Sequence, residues 1–362
     1  AQGISLNTFR RERNYFGSSA FEDIANVLGF DIQQRIERFT TGGTVTYSPL
    51  ANLTNRLTIG YDFSQQENRN LRPFGFRQRP KGALLNNTWQ KRLLTFDYVS
   101  SYIADVADAL RTTFSWGGQA VGDEMRVLEG WGEDYPGAAE PTVSSASLRI
   151  AEESRQRVWN AGFFFQNVLD ISNKYFVTTG VRVDGNSAFG EGFGLQVYPK
   201  ASLSWVISDE DFFPESLGQV KLRTAYGQSG RAPGAFDAVR TWSPVGWGGV
   251  PAFVPQNVGN PDLGPEVTRE FEVGFDASLM NDRVNLTYTY FNQFTTDALM
   301  RVTQTPSGGF GGSQLENVGK ISNTGHEVGL NLGLVLNGQN RIYRHWIGHR
   351  VARIVADGFA IF

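Results

Sequence analysis

The 362-residue chain carries a formal net charge of −3, so no strong basic field marks a nucleic-acid partner. It has no cysteine, which excludes disulfides and thiolate metal sites and leaves the compartment open. A hydrophobic fraction of 40%, with 41 glycines and 13% aromatics, suits strands that are apolar on one face only. No apolar run reaches the ~18 residues of a transmembrane helix, which a barrel does not need. The chain begins at Ala1 without a charged n-region or apolar h-region, as expected of a protein whose signal peptide has been removed, or of a fragment.

In chain order, Ile4, Leu6 and Thr8 alternate with Ser5 and Asn7, predicting a strand over Ile4–Arg13, and a helical turn is expected near Phe21–Leu28. Arg35–Tyr47 is strand-like until Ser48-Pro49-Leu50-Ala51-Asn52 breaks it. Leu57, Ile59, Tyr61 and Phe63 alternate with Thr58, Gly60, Asp62 and Ser64, another strand, whereas the polar segment Gln65–Thr88 reads as a loop. Leu94, Phe96, Tyr98, Ser100 and Tyr102 form the next face; after a turn near Asp105–Asp108, Leu110, Thr112, Phe114 and Trp116 return. Gly117–Ser147 is expected to be a long irregular segment. Strands follow over Arg155–Leu169, Tyr175–Val183, Ala201–Ile207 and Val220–Tyr226, and Gln228–Pro265 is the longest predicted loop.

The clearest pattern is a hairpin from Glu266 to Leu299. Phe271, Val273, Phe275, Ala277 and Leu279 alternate with polar residues and glycine; after the turn Met280-Asn281-Asp282-Arg283, Val284, Leu286, Tyr288 and Tyr290 do the same. Each arm has ten or more residues, about twice the usual ~5–6 and close to the ~9–11 of a tilted membrane-crossing strand. A Gly-rich loop near Arg301–Asn323 and a last strand at Val328–Leu334 follow. Short turns (near 48–55, 103–109, 170–174, 208–219 and 280–283) alternate with longer loops (near 65–90, 117–150, 185–195, 228–265 and 301–323). Short turns on one rim and long loops on the other are the habit of an outer-membrane barrel. The expectation is an all-β, antiparallel transmembrane β-barrel with about eleven strands. After Asn337 the alternation stops, leaving residues 339–362 as an atypical tail, either foreign to the fold or a divergent ending, that closes on Phe362.

Arg182, Asp184, Arg223 and Glu272 fall on the polar side of their strands and are expected to line a charged lumen wall, hydrogen-bonded across strands, or alternatively to touch substrate. Trp131, Trp242, Trp247 and Phe253 are candidate loop aromatics for stacking on sugar rings or peptide side chains; packing between loops, or a place at the membrane interface, is the alternative. His345 and His349 have helical metal-pair spacing, but Trp346-Ile347-Gly348 lacks the Glu of a zinc-protease motif, and no metal or cofactor is expected. Gly308, Gly309, Gly311 and Gly312 lack the Lys-Ser/Thr of a phosphate loop. No nucleophile–base pair or paired catalytic carboxylate has recognisable context, which argues against an enzyme.

Five stretches in order resemble the C-terminal barrel half of TonB-dependent outer-membrane transporters, particularly their SusC/RagA-like branch. They are Tyr175–Gly190 (YFVTTGVRVDGNSAFG), Tyr198–Phe213 (YPKASLSWVISDEDFF), Val220–Pro233 (VKLRTAYGQSGRAP), Asn260–Gly274 (NPDLGPEVTREFEVG) and Asn317–Leu330 (NVGKISNTGHEVGL). The resemblance implies import of a bulky nutrient, a glycan or peptide, across the outer membrane of a Gram-negative bacterium. It also implies contact with outer-membrane lipid, an inner-membrane TonB-type energy-coupling partner and a SusD-like surface lipoprotein. Residues 1–338 would be about half of a 22-stranded barrel without the plug domain, hence a fragment of the transporter. A non-transporting adhesin or binding barrel, and a soluble carbohydrate-binding β-sandwich, are the alternatives.

Overall fold

A computed structural model describes residues 6–7, 15–16, 28–76, 79–191, 194–336, 340–347 and 353–356. Short strands β1 (Leu6–Asn7) and β2 (Tyr15–Phe16) pair with each other. Five long strands follow: β3 (Asp31–Leu50), β4 (Leu53–Arg72), β5 (Ala83–Ala107), β6 (Leu110–Glu133) and β7 (Leu148–Ile171). Three shorter ones come next, β8 (Tyr175–Asn186), β9 (Gln196–Val206) and β10 (Gln219–Arg231). The hairpin β11 (Thr241–Trp247) and β12 (Val250–Asn257) precedes β13 (Glu266–Leu279) and β14 (Val284–Thr296). A second small hairpin, β15 (Leu299–Thr303) and β16 (Ser313–Asn317), precedes β17 (Lys320–Leu336), β18 (Asn340–Ile347) and β19 (Arg353–Ala356).

The main sheet runs β3-β4-β5-β6-β7-β8-β9-β10-β13-β14-β17-β18, with β19 also on β17, and among the described residues β3 and β18 do not pair. Eleven strands, β3 to β10 with β13, β14 and β17, form the body anticipated from the alternation. The hairpins β11–β12 and β15–β16 stand outside the sheet, as insertions within long connections. Backbone strands β18 and β19 lie in the tail and pair with β17. Of the two structures expected before Asp31, only Leu6–Asn7 and Leu28 are among the described residues.

Contacts divide the chain into two units. The first comprises residues 1–43, 60–94 and 122–157, the second 44–59, 95–121 and 158–362. The first holds a small core of Leu71, Leu84, Tyr135 and Ala146, with Val143 against it. In the second, β13 and β14 pair with Phe275 opposite Tyr288 and Gly274 opposite Thr289, the register the alternation requires. The turn between them places Met280, Asn281 and Asp282 in left-handed conformation (φ 56°, 55° and 63°), where Asn and Asp are tolerated.

Several expected loops are strands. Gln65–Arg72 continues β4 and Ala83–Thr88 opens β5, so the connection shrinks to residues 73–82; likewise β6 runs on to Glu133. The reason is that these extensions mix polar and apolar residues on both phases, as with Val121, Val127 and Trp131 beside Gln119, Asp123 and Glu129, and so show no period of two. Their backbones pair all the same, and side-chain bonds such as Gln90 to Gln65 (2.9 Å) and Asn87 to Glu129 (3.0 Å) cross between strands. Gly117 is demanded by packing: a Cβ there would stand 2.1 Å from the Tyr98 carbonyl oxygen.

Candidate functional site

Pairing fixes which side chains share a face, because antiparallel partners point the same way. In the second unit one phase is apolar and open, with Leu203, Leu222, Phe271, Val273 and Val328 each about two-fifths exposed. The register puts these residues on one side of β9, β10, β13, β14 and β17. His326 joins that side, sharing a 2.8 Å hydrogen bond with the Tyr288 hydroxyl.

The opposite phase carries the charge. Arg182 on β8 donates through Nε to both oxygens of Asp184 (2.8 Å each) and through Nη2 to Gln119 Oε1 (3.4 Å). Gln119 in turn donates to Asp97 Oδ2 at 3.3 Å, extending the chain of bonds to β5. Gly162 makes this possible: a Cβ there would fall 1.8 Å from Asp184 Oδ1. A second cluster surrounds Arg223, which donates to Thr289 Oγ1 and to Asp276 Oδ1 (3.4 Å) and stands 4.0 Å from Glu272. Lys221 completes it at 3.1 Å from Asp276. Between the clusters lies a depression of about 360 Å³ lined by Thr178, Ser202, Ala225 and Gly227, with Lys200 and Glu272 at its sides. Each cation of the two clusters is matched by carboxylates, whereas Lys200 has no ion-pair partner among the described residues.

The four candidate aromatics have different settings. Trp131 is not in a loop: it sits on β6, half-buried, its Nε1 donating to Glu133 Oε2 at 3.4 Å. This corrects the expectation of a loop aromatic, and the cause is the polar extension of β6. Trp242 and Phe253 share one face of the β11–β12 hairpin, since Trp242 pairs with Pro255 and Phe253 with Pro244. Phe253 is 71% exposed, and Trp242 meets Phe310 edge-on at 5.5 Å. Trp247 has its backbone on β11, and its side chain is outside the described residues, as are those of His345 and His349.

Sequence reading missed Gln119, Asp97, Lys221, Asp276, Thr289 and Phe310. The first five follow from strand phase once the register is known; Phe310, stacked beneath Arg240 at 5.7 Å, had no local signal. It missed, too, an anchor at a short turn: Glu210 accepts from Tyr175 Oη (2.6 Å), Trp205 Nε1 (3.0 Å) and Lys174 Nζ (3.3 Å). These donors, the Tyr175 hydroxyl foremost, hold the Glu210 carboxyl below its ordinary pKa. Among the described residues no three His, Asp or Glu side chains group as metal ligands.

Residues 2–354 match the family model for the TonB dependent receptor-like β-barrel. The chain is 29% identical over 308 residues to TonB-dependent receptor P26 of Formosa agariphila, a match spanning 79% of this chain and 30% of that protein. To the TonB-dependent receptor SusC of Bacteroides thetaiotaomicron it is 23% identical over 234 residues, spanning 58% and 22%. Its fold superposes on a chain of the RagAB peptide transporter with a TM-score of 0.86 at 17% identity, covering 98% of this chain and 40% of that one. The chain therefore spans well under half the length of the relatives it matches. With one open apolar face, one ion-paired face and this match over nearly its whole length, the chain belongs to the TonB-dependent receptor family, as about half of that family's β-barrel.

Proposed function

We propose that this chain is part of the wall of an outer-membrane importer in a Gram-negative bacterium, its apolar face against lipid and its polar face lining the lumen. The observation that carries the reading is the division of charge by strand phase. Arg182, Asp184, Arg223 and Glu272 all fall on one side, while Phe271, Val273 and Leu222 are open on the other. Hydrocarbon would make unpaired charge on the first side costly and removes any penalty for the second.

The ion-paired residues are best read as structural elements of the wall, and the loop aromatics Trp242 and Phe253 as contacts for cargo. The cargo is a bulky nutrient, a glycan or a peptide. The RagAB neighbour is a peptide transporter and supports the second, while exposed rings on a proline-bearing hairpin suit either. Energy would come from a TonB-type coupling protein, and a SusD-like lipoprotein would close the outer rim, as the likeness to SusC suggests. An adhesin built on the same wall is the competing reading, since exposed loop aromatics serve adhesion equally well. One experiment separates them: delete the gene and follow uptake of fluorescent oligosaccharides and oligopeptides by whole cells. Import is expected to fall to background for one of the two pools. Unchanged uptake of both, together with lost surface binding, would favour the adhesin.

A further inference from the structure

Around the β11–β12 hairpin the second unit ties three connections together. Asn257 Nδ2 donates to the carbonyl oxygens of Phe236 (2.9 Å), Asp237 (3.5 Å) and Val239 (3.1 Å), which pins the segment leading into β11. Gln314, buried on β16, donates to the Gly259 carbonyl at 3.0 Å. Gly259 has φ 74°, and a Cβ there would stand 2.3 Å from the Arg240 backbone nitrogen, an approach that only glycine admits. The backbone at Arg240 is therefore held by the connection after the hairpin as well as by its own.

The side chain is held too. Arg240 Nε donates to the Val258 carbonyl at 3.1 Å, and the guanidinium lies over the Phe310 ring, 5.7 Å from its centroid. The same ring meets Trp242 edge-on at 5.5 Å, and Trp242 remains 50% exposed. Arg240 is exposed and makes no ion pair among the described residues; Asp237, on the same connection, accepts instead from the Gly234 backbone N–H at 2.7 Å. With Nε engaged, the two Nη groups are left as a fork of the shape that matches a carboxylate. A guanidinium already fixed in place gives up little freedom when it binds one.

Two kinds of cargo could bring that carboxylate. An extended peptide adds to a strand edge through backbone hydrogen bonds, and Pro244, Pro251 and Pro255 deprive the edges of this hairpin of donors. An acidic sugar needs no edge, because its ring packs on an aromatic side chain while its carboxylate takes the fork. The arrangement favours the sugar. We propose that Arg240, with Phe310 and Trp242, is a recognition site for a uronate-bearing oligosaccharide, one sugar ring against Trp242 and a carboxylate on the Nη groups of Arg240. This rests on the reading of the exposed hairpin as a cargo contact, and it narrows the cargo to an acidic glycan.

The test titrates the full-length transporter in detergent, by calorimetry, with galacturonate, mannuronate and glucuronate tetramers, each as the free acid and as its methyl ester, and with tetraglutamate. At least one acid is expected to bind about tenfold more tightly than its own ester, a comparison that needs no variant. Arg240→Gln should bring that acid down to the affinity of its ester and leave the ester unchanged, whereas Trp242→Ala should weaken both by the same factor. Arg231→Gln removes an equal charge, 3.7 Å from Glu266, and should change neither. Equal binding of acid and ester throughout, an acid preference that survives Arg240→Gln, or tetraglutamate binding as tightly as any sugar overturns the proposal. If ligands still bind in those cases and Trp242→Ala weakens them, the hairpin remains a cargo contact. If no ligand binds, or none responds to Trp242→Ala or Phe253→Ala, the cargo reading falls with the site.

Discussion

Strands β4 to β7 and strands β8 to β14 of the main sheet solve different problems with the same pairing. The first four have 20, 25, 24 and 24 residues; β8, β9, β10, β13 and β14 have 12, 11, 13, 14 and 13. A tilted crossing takes ~9–11 residues, so the second set is hardly more than a crossing and the first is about two. The surplus is bound by different means. In β8 to β14 one phase is apolar and the other ion-paired. In the outer parts of β4 to β7 polar and apolar residues mix on both phases, joined by pairs such as Lys91–Asp123 and Arg126–Glu153 and by the small core around Tyr135. Backbone pairing alone can carry a strand into water when its side chains bond across.

A single chemistry tested in both regions should show the largest effect. Val273 lies on the apolar phase of β13, six residues from its short-turn end at Leu279, and Leu128 on the corresponding phase of β6, eighteen residues from its own. Val273→Arg should lower stability by roughly 2–4 kcal/mol, since charge at the mid-membrane is poorly solvated, and Leu128→Arg by about 0–1. Thr287→Arg, on the polar phase, should resemble the second. Urea midpoints of the whole protein in liposomes measure all three. Equal losses at 273 and 128 would remove the distinction between crossing and surplus.

The same contrast explains what could be read from sequence. Val273, Phe275, Leu286 and Tyr288 were legible because lipid requires an apolar phase, and a period of two is its imprint. Arg182, Asp184, Arg223 and Glu272 were legible as the complementary phase, but their partners were not, because Gln119 and Thr289 become neighbours only through register. Gln65–Arg72 and Gly117–Glu133 were misread as loops, since nothing in water forces a strand to alternate. Trp131 was misplaced with them. Phe310 on Trp242 joins two hairpins far apart in sequence, and no local pattern announces such a contact.

Next in size is the close approach beneath the Arg182 cluster. Gly162→Ala puts a methyl 1.8 Å from the present position of Asp184 Oδ1, so the carboxylate must move and its bonds to Arg182 must break or rebuild. A loss of about 1–3 kcal/mol is expected, as for overpacking elsewhere. Gly227→Ala, whose added Cβ meets nothing within 4 Å, is the matched control and should be nearly silent. If both glycines tolerate alanine equally in urea unfolding, the polar phase of the crossing strands is looser than its ion pairs imply.

In the surplus region the corresponding probe is Tyr135. It is 4% exposed, its hydroxyl has no hydrogen-bond partner, and burial pushes its pKa up. A buried donor left unpaired costs about 1–3 kcal/mol, so Tyr135→Phe should keep or raise stability by about 1 kcal/mol. Thermal unfolding followed by tyrosine and tryptophan fluorescence would detect it. A loss instead would mean the hydroxyl is bonded, and that this core is polar like the strands around it.

The smallest expected effect lies at the other rim, where the crossing strands turn. Glu210 is held charged by the hydroxyl of Tyr175, then by the Trp205 indole and the Lys174 ammonium, so its folded pKa lies below the ordinary carboxyl value near ~4.3. A depressed carboxyl contributes stability that is fully present above the ordinary value and disappears as pH falls through the folded one. Glu210→Gln keeps an oxygen for Tyr175 and Trp205 but gives up the charge facing Lys174. The variant should be slightly less stable at neutral pH and should lose less on acidification, so that its curve meets that of wild type at the acid end. Urea midpoints taken from about pH 7 down to about pH 3 compare the two curves. Parallel curves over that range would show that the turn is held by the stacked rings of Tyr175 and Trp205, 5.9 Å apart, and not by the carboxylate between them.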